Sequence, residues 1–534
     1  MQGFHIVAFV AFAILARWAY QYYTTVKRVK AIGFEVRYAW NPQYLAIFKK
    51  LFGSFKGNYP PGWPFERAEE IRGNCCVIGP FGFYAYISEP KYINEISMRK
   101  TDFPKPLEQY KILDIFGTNV LTTEGALWKL HRKITGPPFN ERNNALVFQE
   151  TVHQTRGMMD EWSKYMVNGS VLLEDARKDC MKLALHVICG AGFGQSFSWA
   201  ETSTITSPDH RLSFRDSMSE MLHHLAVPLL FGKFLRKVLP FKYIKDGDLA
   251  CKEYEKYMDE MLDKERESAV RGDKGRANLL SALVRSEEQG QILSRDEIKG
   301  NMFIFIIAGH ETTANSLLYA YLLLAMHPEV QDRLYEETTK ILSSEPTYAD
   351  FPKMVYALCI MFETLRIFPP VILIPKSTPN METPLLGHIL PAKQVIYIDV
   401  VGVHRNPDVY PDPHTFNPSR FDGRGTMAAE NEKAAEKGSD DFAEEGAPGA
   451  SYQGIRMPPK GCFLPFSEGY RACLGRKFSQ VEFACALSVM SLRFKFALAP
   501  GWSNESMRKA LDASETIITL QPATELPIVI TSRT

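Results

Sequence analysis

From Ser294 to Pro328 the chain is committed to one long helix. Ser294-Arg295-Asp296-Glu297 reads as a Ser-x-x-Glu capping box, in which each of the two end side chains satisfies an amide at the helix start. The pattern then continues to Met326, about 32 residues or roughly 48 Å at 1.5 Å per residue. His327-Pro328 ends it. Met302 to Ala308 is continuously apolar, so the run suits either a helix buried in a core or a membrane span. His310, Glu311, Thr312, Thr313 and Asn315 interrupt its middle, which is costly in lipid unless a polar cavity is present. A core helix that passes a cavity fits better. With 534 residues, 45% of them hydrophobic, the chain can bury such a helix.

The rest of the chain is mostly helical in periodicity, with short strands expected at Cys75–Ile78, Phe83–Ile87 and Val395–Val400. The first two are joined by Gly-Pro-Phe-Gly, a hairpin signal. A formal net charge of +1 gives no attraction for nucleic acid. Nine scattered cysteines, an odd number, make no disulfide framework and indicate a reducing compartment, with Cys75 and Cys76 expected in the core.

At the N-terminus, Phe4 to Tyr23 is mostly apolar and close to the roughly 20 residues that cross a bilayer. Arg17 near one end can snorkel, Trp18, Tyr20, Tyr22 and Tyr23 resemble an interfacial belt, and Lys27, Arg28 and Lys30 follow. By the positive-inside rule the remainder lies in the cytosol. A cleaved signal peptide fits less well, because the charge follows the apolar run. A helix lying on the membrane surface is the other reading. The expected organisation is a membrane anchor over 1–30, a linker over 31–64 ending in the stiff turn YPPGWP, and one catalytic domain over 65–534. Residues 427–451 carry seven acidic residues against two lysines and almost nothing to bury, so they read as a flexible surface insertion.

The chemistry concentrates in FSEGYRACLGRKF, Phe466 to Phe478. Arg476 to Leu492 reads as a buried helix, which puts Cys473 just before its N-terminus, where free amides and the helix dipole favour a thiolate. Gly469 and Gly475 permit a tight loop, and Arg471 suits a carboxylate on a ligand. Such a thiolate serves as a nucleophile or as an iron ligand. A nucleophile needs a base, and no histidine lies nearby in sequence, though the fold can bring one.

The pattern F-x-x-G-x-R-x-C-x-G, here Phe466, Gly469, Arg471, Cys473 and Gly475, resembles the haem-ligand loop of the cytochrome P450 family at every position. Further motifs follow the family's order. AGHETT, Ala308 to Thr313, is similar to the oxygen-activation stretch of the family's central helix. The likeness implies that Ala308 leaves room at the iron while Glu311 and Thr312 control proton delivery. In ETLR, Glu363 and Arg366 share a helix face. Alone they would be a surface ion pair worth at most about 1 kcal/mol. The resemblance implies instead a buried structural pair completed by Arg420 of FNPSRF, with Ser419 where many relatives carry Glu. Trp128 and Arg132 of WKLHR resemble the pair that faces a haem propionate, and Lys376 occupies a place where relatives often have a further propionate-binding arginine.

These likenesses imply a mainly α-helical fold with a small β-rich lobe, preceded by the transmembrane helix, and haem b bound through Cys473. They also imply a monooxygenase that uses dioxygen and takes electrons from NADPH through a separate reductase, with cytochrome b5 as a further donor. The implied location is the endoplasmic reticulum membrane, single-pass, with the catalytic domain facing the cytosol. The substrate expected is an apolar small molecule of fungal secondary metabolism, a terpenoid, steroid or polyketide, since the segments Thr101–Leu121 and Met221–Phe241 and the surroundings of Ile304 and Val371 are largely apolar. Two alternatives stand beside this: a haem-thiolate isomerase or dehydratase that does not use dioxygen, and a non-catalytic haem-binding sensor. The complete Glu311-Thr312 pair speaks against both.

Overall fold

In the computed structural model the long helix forms over Arg295–Met326. Its capping box closes, with the Ser294 amide donating to the Glu297 carboxylate at 2.8 Å. The structure describes residues 2–38, 63–70, 73–79, 82–200, 209–271, 278–285, 293–343, 345–424, 454–516 and 518–533. Most of the expected linker and all of the expected acidic insertion therefore lie outside the described residues.

From Ile298 to Met326 the helix is buried on every face except at Ala308, Gly309, Glu311 and Thr312. A helix buried all round belongs inside a core. The helices Ala176–Val187, Val355–Ile367 and Arg476–Ser491 pack against it, and Glu141–Lys164 lies against the last of these. Stacked rings join the helix to its surroundings, Tyr319 on Phe368 at 4.4 Å and Tyr321 on Phe496 at 4.6 Å. Their shared core forms the helical body.

A smaller lobe carries a five-stranded sheet. Its order is Glu35–Tyr38, Cys75–Gly79, Gly82–Ile87, Val395–Asp399 and Leu373–Ser377. The expected hairpin is its centre, with Cys75 opposite Tyr86 and Cys76 opposite Ala85. Because successive strand residues face opposite ways, Cys76 enters the core under the sheet while Cys75 packs with Tyr86 and Tyr397 on the other side. Burial pushes both thiols up to about 12, so neither is reactive. The C-terminal strands Phe494–Leu498 and Ile528–Ser532 form a second sheet with Ser170–Leu173.

The N-terminus requires a correction. Gln2–Ile32 is one helix, yet among the described residues no helix is long and apolar enough to cross a membrane. The apolar run is interrupted by His5 and Arg17 and gives way to polar and aromatic residues after Ala19. Its last turns dock on the small lobe instead. Val29 and Ile32 are buried with Cys76, Ile93 and Leu390, and His388 Nδ1 donates to the Ile32 carbonyl at 2.6 Å. Phe9, Phe12, Leu15, Tyr20 and Tyr23 stay exposed.

Candidate active site

Of the nine cysteines, eight are buried and Cys473 is accessible. It lies where expected, two residues before the Gly475 N-cap of the helix Arg476–Ser491. The loop is shaped by its backbone: the Cys473 amide donates to the Phe466 carbonyl at 2.8 Å and the Ala472 amide to Gly469 at 3.1 Å. Gly469 has φ +64°, and a side chain there would place Cβ 2.8 Å from the Ser97 carbonyl, so the residue must be glycine.

Although the residue is accessible, burial is the largest influence on its sulfur and pushes the thiol up, against the Gly475 amide, Arg476 and Arg132, which pull it down. Burial thus opposes the pull of the helix entry on the thiol, and the charge of a bound metal would favour the thiolate.

Positive charge collects beside the loop. The Arg471 guanidinium lies 3.5 Å over the Trp128 ring and pairs with Glu124, while one of its nitrogens, Nη1, is buried with no partner. Arg132, one turn after Trp128, donates to the Ala472 carbonyl at 2.9 Å. Burial, and then Arg471, pull Lys105 down to about 7 and Lys376 down to about 8, with Glu124 acting the other way. A flat group bearing two carboxylates, with an iron that asks for one protein ligand, suits this donor set. Haem fits these residues: Cys473 for the iron, and Arg471, Arg132, Lys376 and Lys105 for its carboxylates.

Across the core, the window in the long helix holds the other predicted residues. The Thr312 hydroxyl donates to the Ala308 carbonyl at 2.6 Å, which leaves its oxygen free to accept. Burial raises the Glu311 carboxyl, opposed by bonds from the Thr519 side chain and amide and by Arg177. Asn315 ties Thr519 at 2.9 Å and accepts from Arg177 at 3.3 Å, so Glu311 is held by a polar cluster. Phe139 spans the two sides, 4.0 Å from the Cβ position at Gly475 and edge-on to Phe305 at 5.6 Å. Phe139 thus links the loop to the long helix one turn before the window.

Glu363, Arg366 and Arg420 come together in a cluster of their own. Arg366 grips Glu363 with two bonds of 2.7 Å, both side chains are 0 % exposed, and Arg420 reaches the same carboxylate at 3.3 Å. The pair is buried, as the motif implies and as its spacing alone does not. Ser419 accepts from Arg333 at 2.9 Å and takes no part in the cluster.

Sequence reasoning missed Lys105, Glu124 and Thr519. Glu124 is the N-cap residue of the helix Gly125–Thr135, one turn before Trp128, and that spacing was a usable signal. Lys105 and Thr519 reach the site only through the fold.

A family model described as "Cytochrome P450" matches residues 84–522. The chain is 34% identical to cytochrome P450 monooxygenase 124 of Postia placenta, covering 84% of this chain and 83% of that one. It is 26% identical to the phomenoic acid biosynthesis cluster cytochrome P450 monooxygenase of Leptosphaeria maculans, over 85% of this chain and 83% of that one. A crystal structure of a cytochrome P450 (CYP102L1) superposes with a TM-score of 0.66 at 19% identity, covering 88% of this chain and 94% of the other, a likeness of fold.

Proposed function

The chain belongs to the cytochrome P450 family of haem-thiolate monooxygenases, and from that premise we propose that it hydroxylates or epoxidises an apolar small molecule with electrons from an NADPH-dependent reductase. A terpenoid, steroid or polyketide of fungal secondary metabolism is the substrate class, a reading supported by the Leptosphaeria maculans relative's pathway and by the apolar side chains Ile112, Leu113, Ile115, Leu121, Ile304 and Val371 in the expected substrate segments. One observation carries the reading. Phe139 links the loop of the only accessible cysteine to the long helix at Phe305, one turn before the accessible residues that interrupt its burial between Ile298 and Met326.

Haem bound through Cys473 supplies the dioxygen chemistry and accepts electrons one at a time. The protein positions and protonates. Thr312, whose proton is engaged by Ala308, accepts from a water molecule and holds it in the window. Glu311, fixed by Thr519 and raised by burial, is the nearby acid that exchanges protons with that water.

Thr312→Ala should leave haem content and substrate affinity nearly unchanged while NADPH consumption yields hydrogen peroxide in place of oxygenated product. Thr312→Ser should recover much of the coupling. NADPH, peroxide and product measured in one reaction separate the cases. A Thr312→Ala protein as tightly coupled as the parent would place proton delivery elsewhere.

We also propose association with the endoplasmic reticulum membrane from the cytosolic side. The exposed Phe9, Phe12 and Leu15 of the N-terminal helix, and a second exposed group, Phe234, Leu235, Val238 and Phe241 beside Arg236, Lys237 and Lys242, support it. Deleting residues 1–20 spares the docked turn and should move much, but not all, of the protein into the soluble fraction. Complete release would remove the second contact from this account.

A further inference from the structure

Glu311 and Asn315 stand one turn apart on the same face of the long helix, and both meet the C-terminal hairpin in which Glu515 and Thr516 pair with Gln521 and Leu520. Thr519, buried, lies in the turn of that hairpin. The third party is Arg177, in the first turn of the helix Ala176–Val187, which packs along the long helix.

The direction of every bond in this cluster is fixed from one end. A guanidinium has donors and no acceptor, so the Asn315 atom that faces Arg177 Nε at 3.3 Å must be its carbonyl oxygen. That turns the Asn315 amide nitrogen to Thr519, where it donates to the hydroxyl oxygen at 2.9 Å. The Thr519 hydroxyl proton then goes to Glu311, whose carboxyl also receives the Thr519 backbone amide. Arg177 donates a second bond to Gln521 on the hairpin, which holds the guanidinium in place. Asn315 is fully buried, so water does not replace it as the link.

We propose that Arg177, Asn315 and Thr519 are positioning residues for proton delivery: they form a one-way chain of donors that ties Glu311 to the C-terminal hairpin and eases the release of its proton. The inference rests on the reading of Glu311 as the acid that exchanges protons with the water held by Thr312.

A chain that offers only donors favours the carboxylate over the acid. It works against burial, which is the larger influence and raises the Glu311 carboxyl, and the charge of Arg177 acts in the same direction as the chain. Among the described residues Arg177 is the only charged side chain that acts on Glu311. The other ionisable groups nearby do not reverse the sign. Burial pulls His310, the preceding residue, down to about 4, so it stays neutral, and burial keeps Tyr319 neutral by raising it. Glu515 lies across Gln521, whose amide donates to it at 3.5 Å.

Cutting the chain should therefore leave Glu311 protonated to higher pH. Two changes of nearly constant size cut it at different links. Thr519→Val removes the hydroxyl. Asn315→Asp keeps a partner for Arg177 but faces Thr519 with an acceptor, so the Thr519 proton turns away from Glu311.

The test is an infrared pH titration of the haem-loaded, detergent-solubilised full chain, in which the C=O stretch of a protonated carboxyl disappears as the group ionises. Subtracting the spectrum of the same protein carrying Glu311→Gln isolates the Glu311 band, for the parent and for each variant. That band should fade at a pH higher by about one unit in Thr519→Val and in Asn315→Asp than in the parent, with haem content and the red-shifted CO band unchanged. A band that fades at the parental pH, or below it, in either haem-loaded variant overturns the proposal. So does a parent in which no Glu311 band titrates. If one variant takes up no haem, the other decides. The spectra are recorded without turnover, so they stand apart from the reading beneath them. A Glu311→Gln protein that forms as much product per NADPH as the parent overturns the proton-delivery reading, and this inference with it, whatever the infrared result.

Discussion

Cys473→His should abolish the red-shifted Soret band of the CO-bound ferrous protein. That band requires a thiolate on the iron, and the chain has no second thiol to offer. The other eight cysteines are buried, and burial pushes those at 75 and 76 to about 12 and the one at 462 to about 11. Cys462, the nearest in sequence, accepts from the Tyr410 hydroxyl through its carbonyl at 3.0 Å and packs its side chain inside. The substitution should not unfold the protein, because the loop is held by the amide of residue 473 on Phe466, by Arg132 on Ala472 and by Gly469, none of which uses the sulfur. Cys473→Ser, smaller still, should give the same spectral loss. A variant at this position that kept the band would mean that another residue binds the iron.

The second large effect is expected far from the sulfur. Glu363→Ala removes the counter-charge of a fully buried Arg366, and breaking such a pair costs about 3 to 5 kcal/mol. Domains are stable by only about 5 to 15 kcal/mol, so much of the margin would go. The damage has a route to the cofactor. Arg366 also donates to the carbonyls of His404, Pro413 and Thr415, at 3.0, 2.7 and 3.2 Å, and so ties down the segment that contains them. His404 Nε2 in turn accepts from the Leu464 amide at 2.8 Å, at the entrance of the cysteine loop. Burial, and then Arg366, hold His404 neutral, pulled down to about 3, which leaves that nitrogen able to accept. Loss of Glu363 should therefore give protein with little or no haem and a lowered denaturant midpoint, measured as haem per chain and as an unfolding curve. A soluble, folded Glu363→Ala protein with full haem content would refute the structural role.

What was legible in the sequence was local. The Ser294-Glu297 capping box, the three-residue spacing of Glu363 and Arg366, the hairpin around Gly79 and Gly82 and the glycines flanking Cys473 are each decided within a few residues, and all take the form expected. Burial was not legible from spacing. Glu363 and Arg366 would read as a solvated pair if the motif they resemble were ignored, because what covers them comes from residues 404 to 420. Glu311 was identified as an acid, but Thr519, which orients it, arrives from the far C-terminal strands by topology alone. At the N-terminus hydropathy found the helix and missed its docking, since Val29 and Ile32 sit among Lys27, Arg28 and Lys30 and only the small lobe gives them a partner. At Cys473 the helix dipole is legible in the sequence and the burial that opposes it is not.

The most direct test of the central claim uses isotope-labelled dioxygen. The haem-loaded full chain, a reductase and NADPH are incubated with terpenoid, steroid and polyketide substrates, and the products are weighed by mass spectrometry. The account predicts a product that carries one labelled oxygen atom, formed only with NADPH. A product formed without NADPH or without label, or a haem-loaded protein that never consumes oxygen with any of these substrates, would contradict it.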